Sequence, residues 1–259
     1  MANDFTYSIV PPVAENYIIG VDVSKHQGKM NWQKCKDAGA KFAAIRCTVG
    51  NYYTDVEFER NYNGAMEVGL PVTVYHVVAC ASNNQRLTGK QNIDYFWSVL
   101  KNKHIDFPVA LDCELSNGQD TRWVTSVVAE CANMLTGEDF PYPLIYTAKG
   151  WWDANILPSS SWNKYPLWVA NYTNAIYPAM PRDWNDWQIW QYSADGNNQG
   201  KVYGAQSSAI DKNRMKQSFW NKHIEPEDEI ELPLPMKGTI RGEVLLDDVV
   251  YEYETELVR

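Results

Sequence analysis

An α/β barrel of eight short strands, regular at first and irregular in its last third, is the fold class that this sequence predicts, and three observations predict it. Short apolar runs rich in β-branched and aromatic residues recur along the chain, segments of helical period separate the first five runs, and that period disappears after Thr147. The runs are Tyr17 to Val23, Phe42 to Thr48, Val72 to Val78, Val109 to Leu115, Leu144 to Thr147, Leu167 to Ala170 and Trp187 to Tyr192, with an eighth near Ala209 to Lys212. Each reads as a strand buried on both faces, as parallel strands covered by helices are. Ahead of the fourth run, Ile93, Phe96, Trp97 and Leu100 recur at i, i+3, i+4 and i+7. Ahead of the fifth, Val124, Val127, Val128 and Cys131 repeat that spacing, with Asp120 as N-cap and Gly137 beyond the end. Strands alternating with helices build a parallel sheet. After Thr147 the connections carry Pro158, Pro178, Pro181, Gly196, Gly200 and Gly204, so the remainder should be strands and loops. Eight strands of this kind suggest a closed barrel, in which the first and last strands are neighbours. Side chains from opposite ends of the chain can then meet at the carboxyl-end rim.

Charge divides the chain. Of 259 residues, 23 are Lys or Arg and 32 Asp or Glu, a formal net charge of -9. Residues 1–224 hold 20 basic and 21 acidic side chains, whereas residues 225–259 hold 3 and 11. The changeover, EPEDEIELPLP, reads as a linker, and the segments TIRGEVLL and VVYEYETEL beyond it read as a β-hairpin turning at Asp247-Asp248. Ile240, Val244 and Leu246 would share one face of its first strand, and Tyr251, Tyr253 and Leu257 one face of its second. A lone hairpin is marginal in water, so this face should dock, on the main domain or on a second copy, or else on a partner or the cell surface, where its net negative charge would be repelled by anionic wall polymers. Three segments are therefore expected: an extension over residues 1–16, a barrel over 17–224 and a linker with hairpin over 225–259.

Composition excludes several function classes. A net negative chain is a poor binder of nucleic acid, which needs clustered Lys and Arg. No apolar run approaches the roughly 20 residues of a membrane span. The opening MANDFTYSIVPPVAENY has neither a basic nor an apolar leader region, so no secretion signal is expected. The cysteines (Cys35, Cys47, Cys80, Cys113 and Cys131) contain no C-x-x-C pair, and the four histidines no metal-binding spacing. Buried reduced thiols and no metal or organic cofactor are the expectation.

The chemistry lies in carboxylates at strand ends. In P-V-A-L-D-C-E-L the period of two puts Asp112 and Glu114 on one face and Cys113 on the other. The first strand ends V-D-V-S-K-H-Q-G, which places Asp22 near its carboxyl end, and the last contains A-I-D-K-N, which supplies Asp211. Four acids at one rim, with few cations nearby in sequence, should push their pKa values apart and leave one protonated. A general acid beside negative charge is what acetal hydrolysis requires. Taken alone, D-x-E also fits a divalent-cation site or a structural pair.

The surrounding residues resemble glycoside hydrolase family 25, the lysozymes that include many phage endolysins. The resemblance runs from about Tyr17 to Phe219 through V-D-V-S-K-H-Q-G, A-A-I-R-C-T-V-G, D-V-E-F-E-R-N-Y-N-G-A-M-E-V-G-L-P-V-T-V-Y-H, A-L-D-C-E, L-I-Y-T, L-W-V-A-N-Y, W-Q-I-W-Q-Y-S and I-D-K-N-R. It implies an irregular TIM-like (β/α)5β3 barrel and cleavage of the β-1,4 bond between N-acetylmuramic acid and N-acetylglucosamine in peptidoglycan. It also implies that Glu114 is the proton donor, that Asp112 supports it and that Asp22 and Asp211 complete the cluster. The family 18 chitinases also end a strand in D-x-E, but their D-x-x-D-x-D-x-E pattern needs aspartates where this chain has Phe107 and Ala110. Substrate-assisted attack, a covalent intermediate and direct attack by water all remain open at this level. So does a non-catalytic sugar-binding or virion structural role. A phage lysin made in a host cytoplasm and acting on the wall is the expected setting.

Rigid rings suit sugar faces, and the chain has 11 Trp, 16 Tyr and 7 Phe. Tyr75, Tyr146, Trp168, Tyr172 and Trp190, at or after strand ends, are the expected platform, with Gln191 as a further contact. His76, on the opposite face from Tyr75, reads as structural, and Ser24, Gln27 and Gly28 as shaping the loop that positions Asp22.

Overall fold

The computed structural model describes residues 17–137 and 141–224 in full and residues 238–246 and 249–257 in their backbone. The chain divides into two compact units, Met1–Glu225 and Pro226–Arg259. In the first unit eight strands form a ring: β1 (Tyr17–Val23), β2 (Phe42–Val49), β3 (Val72–Val77), β4 (Ala110–Asp112), β5 (Leu144–Ala148), β6 (Leu167–Ala170), β7 (Ile189–Ser193) and β8 (Asp211–Lys216). They pair in chain order, and β8 closes on β1. Neighbours from β1 to β7 run parallel, but β8 is antiparallel to both β7 and β1.

The last strand differs from the expected one in its bounds, and its direction decides how Asp211 reaches the rim. The sequence places this strand near Ala209 to Lys212 and leaves its direction open. The observed strand begins at Asp211 and runs opposite to the others, so its amino end stands beside the carboxyl end of β1, with Asp22 opposite Asp211. Ring closure still joins the two ends of the barrel domain.

Helices α1 (Trp32–Asp37), α2 (Phe58–Glu67), α3 (Gly89–Leu100), α4 (Thr121–Met134) and α5 (Lys149–Asn155) follow the first five strands, and α6 (Gln217–His223) follows β8. Thr88 and Gln91 form a capping box on α3, and the Asp120 side chain caps α4 by accepting from Trp123 N. Val124, Val127, Val128 and Cys131 of α4 are buried, as are Ile93, Phe96 and Leu100 of α3. Trp97 departs from the expected stripe: it is 45% exposed, its ring 5.8 Å from that of Phe96. No helix among the described residues is long and apolar enough to cross a membrane.

The pleat separates two cores. Phe42, Ala44, Leu144, Ile189 and Met215 fill the barrel interior, floored by Phe107, Phe219 and Trp220. Ala43, Ile45, Val72, Val74, Ile145 and Val169 face outward against the helices. At Gly20 the interior is so close that an added Cβ would lie 2.4 Å from the Phe42 ring. Gly20→Val is therefore expected to cost at least about 1–3 kcal/mol by overpacking, read as a lowered denaturation midpoint.

The second unit contains an antiparallel pair, Gly238–Leu246 with Val249–Leu257, in which Val244 stands opposite Tyr251 and Leu246 opposite Val249. The Asp247-Asp248 turn, the apolar face expected of this hairpin, the extension over residues 1–16 and the acidic linker lie outside the described residues.

Candidate active site

The rim formed by the carboxyl ends of β1 to β7 and the amino end of β8 surrounds a hollow of about 260 Å³. Alternation along each strand decides which side chains reach it. Asp22 and Asp112 are each the inward residue nearest the rim on β1 and β4, and both are buried, 5% and 6% exposed. The β4 ladder stops at Asp112, earlier than the expected Leu115, yet alternation persists: Cys113 turns outward into the helix-facing core and Glu114 turns in. Glu114 lies in the open mouth of the hollow, and Asp211 enters from β8. All four acids singled out in the sequence thus line one space.

Tyr75, Tyr146, Trp168, Tyr172 and Gln191 line it as well. Trp168 is packed edge-on by Tyr146, ring centroids 4.9 Å apart, and by Tyr75 at 6.1 Å, so these three make a rigid wall. Tyr172 is 57% exposed at the mouth and donates to Gln191 Oε1 at 2.7 Å. Trp190 does not join them. It neighbours Gln191 on β7, so the same pleat that turns Gln191 inward sends Trp190 outward, where it is 1% exposed against Trp187 and Tyr192.

Among the residues at the site that escaped the sequence reading are His26, Arg46 and Asn213. Arg46, inward on β2 after Phe42 and Ala44, gives the hollow a cation. Its Nε donates to Asp55 Oδ2 at 2.7 Å, and the same carboxylate accepts from Lys25 N and Glu57 N, which ties down the loop after β1. Asn213, two residues after Asp211 on β8, is fully buried beside Asp22. Counting by twos from Phe42 and from Asp211 would have found Arg46 and Asn213.

The electrostatics follow from burial among like charges. Burial pushes Asp22 up to about 6, against amide donors from Asn213 and Gln191 that pull it down. Burial, then the neighbouring charge of Asp22, pushes Asp211 up to about 9. Asp112 is raised well above the carboxylate range by burial and by the charges of Glu114 and Asp22, with Arg46 opposing. Glu114 is also raised by burial and opposed by Arg46. Near neutrality the hollow therefore keeps protons on some carboxyls while Asp22 is largely ionised. Asp112 Oδ1 is buried with no protein partner, which leaves it free for a group arriving from outside.

Around the hollow, Ser24 and Gln27 cap the short turn after β1 reciprocally, and Gly28 has φ +66°, with Gln206 where a side chain would begin. His76 is fully buried and held near pKa 4 by burial. Asn92 donates its amide hydrogens to Ala79 O and Thr88 O, so its Oδ1 faces His76 and accepts from Nε2, while Nδ1 accepts from Thr48 Oγ1. It is a structural, neutral histidine. All five cysteines are buried and unpaired. Among the described residues no group of three or more His, Cys, Asp or Glu side chains is placed to hold a metal ion. A second groove, of about 460 Å³, lies at the amino ends of the strands; its single carboxylate, Asp186, is 2.6 Å from Lys216 Nζ. The carboxyl-end hollow, unlike the groove at the amino ends, combines several acids, neutral donors and aromatic walls, the equipment for protonating and splitting an acetal.

Comparison with known proteins is consistent with that chemistry. The family model described as glycosyl hydrolases family 25 matches residues 21–201. Lysozyme M1 of Streptomyces globisporus is 30% identical over 229 residues, covering 81% of this chain and 71% of that protein. An N,O-diacetylmuramidase of Chalaropsis sp is 28% identical over 210 residues, covering 74% and 92%. Among solved structures, the bacterial lysozyme from Streptomyces coelicolor superposes with a TM-score of 0.65 at 28% identity, covering 77% of this chain and 92% of that one.

Proposed function

The chain belongs to glycosyl hydrolases family 25 and is a glycoside hydrolase of the muramidase type, and from that premise we propose that Glu114 is the acid of its reaction. Peptidoglycan is the substrate, cut at the β-1,4 bond from N-acetylmuramic acid to N-acetylglucosamine. The proton of the Glu114 carboxyl passes to the glycosidic oxygen, the bond from that oxygen to the anomeric carbon breaks, and water gives its hydroxyl to that carbon while its remaining proton returns to the carboxylate cluster and restores the Glu114 acid. The positive charge that develops on the sugar ring faces the anion shared by Asp22 and Asp211, which is complementary to that state more than to the uncharged ground state. Asp112, raised and with Oδ1 unpartnered, meets the polar substituents of the sugar beside Glu114. Tyr75, Tyr146, Trp168 and Tyr172 wall the sugar, and Gln191 orients Asp22.

One observation carries this reading: the seam between β1 and β8 sets Asp22 against Asp211 in the same hollow as Asp112 and Glu114. Digestion of purified walls followed by reductive labelling of the new chain ends tests it. Muramic acid at the new reducing ends is the expected outcome. N-acetylglucosamine ends would point to a different glycosidase, and no new ends to a sugar-binding barrel.

The barrel forms the whole catalytic unit, with residues 225–259 outside it. A chain ending at Glu225 should keep its activity on soluble wall fragments within about twofold, and any change should appear in association state by sedimentation. Loss of folding on truncation would assign the tail to the barrel. The setting we infer is a phage lysin made in the host cytoplasm. Fractionation of infected cells, with the protein soluble before lysis and wall-bound after it, tests that setting.

A further inference from the structure

We propose that Asn213 is a positioning residue that holds Asp22 in its ionised form through a relay beginning at the indole of Trp168. This rests on the muramidase reading of the same hollow and adds to it a residue with no role in that reading. Trp168 Nε1 donates to Asn213 Oδ1 at 2.8 Å, and Asn213 Nδ2 donates to Asp22 Oδ2 at 2.7 Å. An indole nitrogen can only donate, so the amide oxygen must face it, and the amide nitrogen must then face the carboxylate. The orientation is imposed, because the alternative rotamer would set two donors against each other and two acceptors against each other. The Asn213 side chain makes no other hydrogen bond among the described residues and has no exposed surface.

A second relay converges on the same oxygen. Tyr146 and Tyr172 hydroxyls donate to Gln191 Oε1 at 3.0 and 2.7 Å, and Gln191 Nε2 donates to Asp22 Oδ2 at 2.9 Å. Asp22 Oδ2 thus receives two buried amide hydrogens, both aimed by aromatic side chains that wall the hollow. Donors to one carboxyl of a close pair favour the charge on that carboxyl and leave the shared proton on the other. The charge accordingly resides on Asp22 and the proton on Asp211, its partner across the β1–β8 seam. The other titratable or charged groups lining the hollow with Asp22 are Asp211 on β8, Asp112 and Glu114 at the end of β4, Arg46 on β2, His26 in the turn after β1, Tyr75 on β3, Tyr146 on β5 and Tyr172 beyond β6. Of these Arg46 is the one permanent cation, and its Nε is committed to Asp55. The amides therefore do what a cation would otherwise have to do at this carboxylate.

The test is the pH profile of kcat/KM for full-length protein on a soluble muropeptide. Asn213→Leu removes the donor at similar volume, raises the Asp22 pKa and so moves the acid limb upward by about one pH unit. The alkaline limb, set by Glu114, stays where it is. Activity at pH 5 relative to pH 7 should fall about fivefold. Trp168→Phe keeps the ring but frees the Asn213 amide to turn, and should move the same limb in the same direction by a smaller amount. It decides the matter if Asn213→Leu does not fold. A uniform loss of activity with an unmoved acid limb in the folded variant would overturn the inference. Parent protein that releases no muramic acid ends would instead sink the muramidase reading itself.

Discussion

Glu114→Gln is expected to lower turnover of peptidoglycan by about 10³-fold or more while leaving the melting temperature within a few degrees of the parent. The size follows from what is removed: a positioned general acid contributes about 10²–10⁴, and the amide has no proton acidic enough to replace it. The small stability effect follows from position. Glu114 stands in the open mouth beyond the last β4 ladder residue and makes no hydrogen bond to another side chain among the described residues. Its surroundings lose nothing when the carboxyl becomes an amide of the same shape. Turbidity loss of wall suspensions and circular dichroism melting check the two halves. Turnover within tenfold of the parent would place the acid elsewhere, with Asp112 the next candidate because it too is raised.

Asp112→Asn is expected to change both quantities, in opposite directions. Activity should fall about 100-fold, since the group beside Glu114 loses its ability to exchange a proton with the cluster. Stability should rise at alkaline pH. The sign is set by the direction of the pKa shift. Burial and the charges of Glu114 and Asp22 raise the folded-state value well above the roughly pH 4 of an unfolded chain. The folded protein therefore binds this proton more tightly than the unfolded one does. The resulting stabilisation is complete below about pH 4 and is lost as pH rises toward the folded value. Asparagine carries no such dependence. Parent and variant should melt together at pH 4, and at pH 8 the variant should melt roughly 3–10 °C higher, the scale of about 1–3 kcal/mol in a domain of this size. A variant less stable at pH 8 would mean that the carboxylate is paired in the native state and that negative charge crowds the hollow less than its four acids suggest. Placing unpaired acids in a closed hollow costs stability, and function explains why the cost persists.

Much of this was legible in the residues, for reasons that differ element by element. The strands announced themselves because a parallel barrel buries both faces, and Asp120 announced α4 because a side-chain acceptor is what an exposed helix start lacks. The four acids were found because period two is exact enough to put Asp112 and Glu114 together even after the ladder stops. The direction of β8 was not legible: a short apolar run has the same pattern whichever way it travels, and only the pairings Asp22 to Asp211 and Gln191 to Asn213 reveal it. Trp190 was misplaced by grouping residues by nearness to a strand end when the pleat separates it from Gln191. Arg46 and Asn213 were within reach of the same counting. Their contacts with Asp55 and Trp168 were not, since the Trp168–Asn213 hydrogen bond joins β6 to β8 over the intervening β7 and depends on the pairing order and direction of the strands.

The proposed chemistry depends on a closed ring that gathers distant acids around a single sugar-bearing hollow, with Glu114 at the bond to be cut. Cocrystallising the Glu114→Gln variant with a muropeptide tetrasaccharide measures this directly. The glycosidic oxygen between N-acetylmuramic acid and N-acetylglucosamine should lie within about 3 Å of the residue-114 side chain, with the muramic acid ring between Trp168 and Asp22. A sugar chain seated in the groove at the amino ends of the strands, or crossing the hollow with that oxygen turned away from position 114, would contradict it.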